Sequence, residues 1–340
     1  MRQLVKLVCC ALLVLVQRSY ADQGELYMTL EQFYHNRPVL VTGGCGFIGS
    51  HLAQKLVALG ANVTILDDLS TGSLDNIADF KDQVSFIQAS IVDAAICDQV
   101  VRGQDIIFHQ AAYISVPGSV LSPASCHEIN VNGTFNLLEA ARQHGIQRFV
   151  YASSAAVYGQ KEGICSEHSS TEPISPYGAS KLIKEVYAQQ YSRTYGLPTI
   201  GLRYFNVYGP RQNPHAAYSA AIAKFNFQMH NNLPITIFGD GMQTRDFIGV
   251  EEVVLANLIV ACLDPIHTSG KIFNIATGDS VTLLDMVERL KLKYPNYHHP
   301  LQFHPARPGD VKHSGADCSA YKQVAKLLLK KPHSTSEQKP

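Results

Sequence analysis

The sequence predicts a doubly wound α/β fold: a parallel sheet covered by helices on both faces, followed by a smaller mixed α/β domain. Three observations predict it. From Arg37 onward, short and continuously apolar runs alternate with helical segments, the pattern of strands buried on both faces. A glycine-rich turn joins the first such strand to the first helix. The composition, 46% apolar and 16% charged over 340 residues, suits a chain that folds around a large core.

Taken in order, Pro38 to Val41 reads as a buried strand, and Phe47 to Leu59 as a helix closed by Gly60. Strands follow at Asn62 to Leu66, Val84 to Gln88, Asp105 to Phe108 and Arg148 to Ala152. Ile129 to His144 carries apolar residues at helical spacing and ends on Gly145. After about Phe205, Pro and Gly become frequent, and helices (Val250 to Leu263, Leu283 to Tyr294) mix with isolated strands such as Ile235 to Phe238. These shifts predict a first domain over 28–205 and a second over 206–340, with 1–27 outside both.

The charge balance excludes some functions. With 28 Lys+Arg against 28 Asp+Glu the formal net charge is zero, which gives no electrostatic reason to bind nucleic acid or an anionic membrane. Eight cysteines lie scattered without a CxxC pair, the usage of reduced thiols rather than of a disulfide framework or metal site. At the N-terminus, Arg2 and Lys6 precede an apolar run from Leu7 to Val16, and Ser19-Tyr20-Ala21 resembles a cleavage site. That is the layout of a secretory signal, too short for a comfortable membrane span.

Chemistry first shows in Thr42-Gly43-Gly44-Cys45-Gly46-Phe47-Ile48-Gly49, where glycines at 43, 46 and 49 separate strand from helix. Glycine permits the tight turn and a close approach of backbone to a pyrophosphate, while the helix N-terminus offers free N–H groups to the anion. Asp67-Asp68 follows the second strand, eighteen residues after Gly49. A carboxylate there accepts both ribose hydroxyls and repels a 2′-phosphate, so the turn predicts NAD rather than NADP. Cys45 reads as a small filler.

The second constellation is Ser153-Ser154 at the end of the fifth strand, followed by Tyr177 and Lys181 on one helical face. An ammonium beside a phenol favours the phenolate, which makes tyrosine a usable base. A strand-end serine can hold the substrate oxygen in line.

These segments (TGGCGFIGSHL, HQAA at His109 to Ala112, SSAAVYG, YGASK, and LRYFNVYGPRQ at Leu202 to Gln212) together resemble the extended short-chain dehydrogenase/reductase family. Within it they are most similar to the nucleotide-sugar 4-epimerases, over about Arg37 to Leu328. The resemblance implies a Rossmann fold holding NAD, a C-terminal domain gripping a UDP-sugar, and reversible oxidation at sugar C4. By position it implies Tyr177 as general base on the 4-hydroxyl, Lys181 as its tuner and a ribose contact, and Ser154 on the same oxygen. The hydride would pass to NAD, the 4-keto sugar turn over, and the hydride return to the opposite face.

For NAD the resemblance implies the turn (Gly43, Gly46, Phe47, Ile48, Gly49) and the loop after strand two (Asp67, Ser70, Thr71, Gly72). It adds Ser90 and Ile91 after strand three, Gln110, Ala111 and Ala112 after strand four, and Tyr204. For the UDP-sugar it implies Ser115, Ser153, Asn206, Arg245, Arg307, Asp310 and Ser314. Family members commonly dimerise through two helices each, here the segments around Cys126 to His144 and Lys181 to Tyr195.

Ala155 and Ala156 stand where relatives that dehydrate or decarboxylate the sugar carry acids, so simple epimerisation is expected. Galactose-type epimerases often place a large tyrosine four residues beyond the aspartate of RPGD, and here that position is Ser314. The small residue, with Ser115 to Ser119, makes the chain similar to the subgroup acting on UDP-N-acetylglucosamine and UDP-N-acetylgalactosamine, or on their uronic acids. A UDP-glucose/UDP-galactose or UDP-glucuronate 4-epimerase, a 4-keto-sugar reductase and a non-catalytic NAD-binding relative are the alternatives. Two departures from the family stand out: Ser90 replaces an aspartate that contacts adenine, and the chain stops early after Leu328. NAD and nucleotide sugars are cytosolic pools, so a cytoplasmic protein is expected, with residues before Met28 an extension of the gene model.

Overall fold

The computed structural model describes residues 20–161, 163–213, 221–306 and 312–328. Fourteen strands appear among them. In chain order, β1 to β5 are Pro38–Thr42, Asn62–Asp67, Val84–Gln88, Ile106–His109 and Arg148–Ser154. β6 is Ile164–Cys165, β7 Thr199–Tyr204, β8 Asn206–Tyr208, β9 Thr236–Phe238 and β10 Thr244–Gly249. β11 to β14 are Lys271–Ile275, Ser280–Thr282, Gln302–His304 and His313–Ala316. The helices that matter below are α1 (Tyr20–Tyr34), α2 (Phe47–Ala58), α3 (Ala94–Val101), α4 (Gly133–Gln143), α5 (Pro176–Tyr195), α6 (Val250–Cys262) and α7 (Ser319–Leu328).

The main sheet has seven strands in the order β11-β7-β5-β4-β1-β2-β3, and every pairing in it is parallel. Side chains alternate across it as strand geometry requires. On one face Val39, Val41, Ile106, Phe108, Val150 and Ile200 meet α1, α2, α6 and α7. On the other, Leu40, Ile107, Phe149 and Tyr151 meet α3, α4 and α5. Both faces being dry explains why these strands read as unbroken apolar runs. The strand order reverses between β1 and β4, so the carboxyl ends of these strands flank the crevice in which such sheets bind ligands.

A second, mixed sheet runs β12-β10-β14-β6, with β8 also pairing β10, and β13 pairs with β9. It packs around Phe225, Ile237, Phe247, Val281 and Val287.

Two expectations about the division of the chain need correction. The boundary at 205/206 is crossed: β11 pairs in parallel with β7 along Lys271↔Ile200 to Ile275↔Tyr204, and α6 and α7 pack into the first core. The mean hydropathy of α6 carried no address, because an all-round apolar helix is buried wherever it lands. Nor does the packed region begin at Met28. Leu26 is buried in the same cluster as Leu30 and Tyr34, and the Tyr34 hydroxyl donates to the carbonyl of Leu258 at 2.8 Å. Residues 1–19, and with them the charged and apolar parts of the signal-like segment, lie outside the described residues. Among the described residues no helix is long and apolar enough to cross a membrane. Cys45, Cys97, Cys126, Cys165 and Cys318 are buried free thiols.

Candidate active site

The glycine turn follows β1 and opens α2. Gly43 has φ +69°, and a Cβ there would lie 2.7 Å from the Ala111 amide nitrogen. At Gly49 a Cβ would lie 2.0 Å from the Gly43 carbonyl oxygen. Side chains are therefore shut out of both positions, and the turn can press against β4 and a ligand. The helix is capped by Gly46 with no side-chain cap, which leaves the first-turn N–H groups at Phe47 and Ile48 for an anion. Cys45 is buried and its thiol is pushed up to about 12 by burial, then by Asp67; it is inert packing.

Asp67 ends β2. Its carboxylate accepts the N–H of Cys45 at 2.8 Å and that of Leu69 at 2.9 Å. Burial raises the carboxyl pKa, and these two N–H bonds pull it back. Each oxygen keeps a lone pair for a ribose hydroxyl. The Ser70–Gly72 loop folds over the turn, since a Cβ on Gly72 would come 2.9 Å from Cys45 and 3.0 Å from the Asp67 carboxylate. Ser70 itself bonds to Asp68 at 2.6 Å, and Thr71 is exposed.

After β3 the Ser90 hydroxyl accepts the Val92 N–H at 3.3 Å. Ile91 gives its side chain to the core and its carbonyl to Asn136 and Cys97. After β4, Gln110 is bonded by the Tyr204 hydroxyl at 3.1 Å and donates to Asn257 at 3.1 Å. Asn257, buried on α6, completes that triad. Sequence reasoning missed it because it lies in an apolar helix of the expected second domain. Ala111 donates its N–H to Thr42 at 3.3 Å, and Ala112 follows at the same strand end.

The expected catalytic group is assembled. Ser154 ends β5, where its hydroxyl accepts the Ala156 N–H at 3.1 Å and, facing the Tyr177 phenol, lowers its pKa. Tyr177 stands in the first turn of α5, whose Ser175 N-cap accepts the Gly178 N–H at 3.1 Å. One turn on, the buried Lys181 donates to the Ala152 carbonyl at 3.1 Å, with its Nζ 5.6 Å from the Tyr177 ring centre. The electrostatics differ from the simple expectation. Burial raises the Tyr177 pKa, the Ser154 hydroxyl lowers it and Cys126 raises it, with the net shift upward. Burial brings Lys181 down to about 8, partly offset by Cys126, by a hydrogen bond to Lys184 and by Glu185.

Ser153 is a further correction. Strand alternation points it away from Ser154; it is buried and donates to Glu185. Glu185 in turn takes two bonds from Arg203, at 2.9 and 2.7 Å, and Arg203 also reaches the Tyr158 hydroxyl at 2.8 Å. Ser153 thus secures α5 to the sheet and offers no hydroxyl to a substrate.

On the opposite side, Asn206 (β8) donates to the Asp246 carbonyl at 2.9 Å. Arg245 (β10) pairs in register with Ser314 (β14), and its guanidinium donates to the Thr244 carbonyl at 2.9 Å. Ser115 caps the short helix Val116–Leu121, accepting the Gly118 N–H at 2.9 Å. Arg307 and Asp310 lie outside the described residues. Among the described residues no group of three His, Cys, Asp or Glu side chains is placed to hold a metal ion.

A parallel doubly wound sheet, a side-chain-free turn facing an acidic strand end, and a Ser–Tyr–Lys set beside them define a dinucleotide-dependent enzyme. The chain belongs to the NAD dependent epimerase/dehydratase family, whose model matches residues 39–276. It is 38% identical over 290 residues to the UDP-glucose 4-epimerase of Mycolicibacterium smegmatis, covering 84% of this chain and 91% of that one. Among solved structures, it is similar to the UDP-N-acetylglucosamine 4-epimerase from Methanobrevibacter ruminantium in complex with UDP-N-acetylmuramic acid. That likeness has a TM-score of 0.81 and 34% identity, over 87% of this chain and 96% of the other. The UDP-glucose 4-epimerase of Thermus thermophilus in complex with NAD also matches, with a TM-score of 0.76 and 34% identity, covering 84% and 92%.

Proposed function

We propose that the chain is an NAD-dependent UDP-sugar 4-epimerase, acting on UDP-N-acetylglucosamine and UDP-N-acetylgalactosamine or on their uronic acids. The observation that carries this reading is the Ser154–Tyr177–Lys181 arrangement with no acid at Ala155 or Ala156. Gly43, the α2 N-terminus, Asp67 and the Gln110–Tyr204–Asn257 triad would hold NAD. When bound, NAD accepts a hydride and later returns it.

Each residue then has a defined task. Ser154 accepts from Ala156 and gives its one proton to the phenol oxygen, so it orients Tyr177 and stabilises its phenolate. Tyr177 takes the proton of the sugar 4-hydroxyl and returns it. Lys181 holds its charge close to that oxygen with one N–H tied to Ala152. Asn206, Arg245, Arg307 and Asp310 would secure the diphosphate and ribose, for which a planar guanidinium suits phosphate geometry.

The finer substrate choice rests on Ser314, a small half-buried side chain in register beside Arg245, which leaves room for an N-acetyl group on the sugar. A homodimer is supported by apolar side chains left exposed on α4 and α5, where Phe135 meets Tyr187 at 5.9 Å and Val186 stands free of the core. Product analysis with UDP-N-acetylglucosamine, UDP-galactose and UDP-glucuronate side by side tests the substrate. Conversion of UDP-galactose without UDP-N-acetylgalactosamine would overturn the steric reading.

A further inference from the structure

Asn257 is a fully buried amide on α6, a helix whose other buried residues are apolar. Such a group is costly unless its donors and its acceptor are all met. One Nδ2 proton goes to the Val253 carbonyl, a turn back on the helix, at 2.8 Å, and the other to the Tyr204 hydroxyl at 2.8 Å. Its Oδ1 accepts from Gln110 Nε2 at 3.1 Å. The Tyr204 hydroxyl faces Gln110 Oε1 and Asn257 Oδ1, each at 3.1 Å. Side chains from α6, from β7 and from the residue after β4 thus close a ring.

These contacts fix both amide orientations. A backbone carbonyl only accepts, so Val253 decides which end of Asn257 is the NH2 group. Oδ1 then faces Gln110 and likewise only accepts. A Gln110 turned the other way would set two amide oxygens 3.1 Å apart with no proton between them. Gln110 is therefore held with its NH2 toward Asn257 and its Oε1 toward Tyr204. The phenol keeps its proton, since burial raises its pKa well above the ordinary value. Of the two Nε2 protons of Gln110, one goes to Asn257, and the other meets no acceptor among the described residues. The placement gives that proton a use. The Gln110 backbone N–H donates to the Thr42 carbonyl at 3.1 Å, and a Cβ on Gly43 would come 3.0 Å from the Gln110 carbonyl carbon. Tyr204, across the ring, is the register partner of Ser154. The ring lies between the dinucleotide turn and the strand end that carries Ser154.

We propose that Asn257 is a positioning residue for the cofactor: by fixing the Gln110 amide it keeps one N–H at the end of β4 for an acceptor oxygen of the bound dinucleotide. Asn257 acts through Gln110 and not by contact of its own. The purpose rests on the NAD-dependent reading of the site, but the test does not need turnover.

Titration calorimetry with NAD on the full chain compares the wild type, Asn257→Leu, Gln110→Leu and the double substitution, with a thermal melt of each. Either single change is expected to weaken NAD binding about tenfold, the worth of one hydrogen bond. The double substitution is expected to lose about tenfold as well, because both changes remove the same contact. A purely structural Asn257 would lower the melting temperature and leave the affinity for NAD as it was, and that result overturns the proposal. So does an unchanged affinity in Gln110→Leu. A double substitution whose loss is the product of the two single losses overturns it too, since Asn257 would then act independently of Gln110. Asn257→Ser keeps a hydroxyl for the Val253 carbonyl but is too short to reach Gln110. It is expected to lose the same tenfold, and should Asn257→Leu fail to fold, an unchanged affinity in Asn257→Ser overturns the proposal on its own. A wild type that does not bind NAD overturns the cofactor reading and the role of Asn257 with it. One that binds NAD but forms no 4-epimer overturns the epimerase reading alone and leaves these affinities to judge Asn257.

Discussion

Ser154→Ala removes a single hydroxyl with two different tasks. As an acceptor it holds the Ala156 N–H at 3.1 Å; as a donor it is the one group that lowers the Tyr177 pKa against burial. The first loss is a neutral hydrogen bond at a half-buried position, about 1 kcal/mol of stability. The second is a hydrogen bond to a group that is charged when it works, roughly 10- to 100-fold in kcat. The sign of the pH effect follows. The phenolate is the working form and its folded pKa lies above the ordinary value. Removing Ser154 raises it further. Because the phenol titrates above Lys181, whose ammonium is present below about 8 and lost above it, the rising limb of kcat breaks at the Lys181 value and the falling limb at the Tyr177 value. The substitution lowers kcat below the falling limb and moves that limb to higher pH, while the rising limb stays in place. Initial rates of 4-epimer formation at saturating substrate across pH, with a thermal melt as a control, measure both. A kcat loss of that size with an unmoved falling limb would refute the reasoning, because it would make Ser154 a steric element only.

Other substitutions test other parts. Arg203→Met strands Glu185 and should cost about 3–5 kcal/mol in denaturant unfolding, since a buried carboxylate loses its bidentate partner; a smaller loss would mean water reaches that site. Gly49→Ala places a Cβ 2.0 Å from the Gly43 carbonyl, and calorimetry should find NAD binding abolished even in whatever folded protein is recovered. Asp67→Ala removes the acceptor of the Cys45 and Leu69 N–H groups; NAD affinity should drop about tenfold or more while NADP affinity does not. Ser314→Tyr should lower kcat/KM for UDP-N-acetylglucosamine roughly 10- to 100-fold relative to UDP-galactose, and equal effects on both would count against Ser314 as the specificity position.

Much of the site was legible because local rules govern it. The turn from Thr42 to Gly49 must be glycine where the backbone closes on Ala111 and on itself, and Tyr177 and Lys181 share a face by helical spacing alone. What escaped the sequence depends on long-range packing. The return of β11 to the edge of the main sheet, and of α6 to its face, is decided by which buried surface an apolar segment meets. Asn257 enters the cofactor side only through that return. Ser153 looks equivalent to Ser154 in sequence, and strand alternation separates them: one hydroxyl goes to Glu185, the other to Tyr177.

The central claim is that Tyr177, held by Ser154 and Lys181, runs a closed redox cycle at sugar C4. Following the ratio of 4-epimers and the NADH level together, in one incubation of the protein with UDP-N-acetylglucosamine and added NADH, tests it most directly. The account predicts that the 4-epimer accumulates to equilibrium with no sustained consumption of NADH, and that Tyr177→Phe stops this while still binding NAD. Steady NADH consumption, or a dehydrated product, would contradict it.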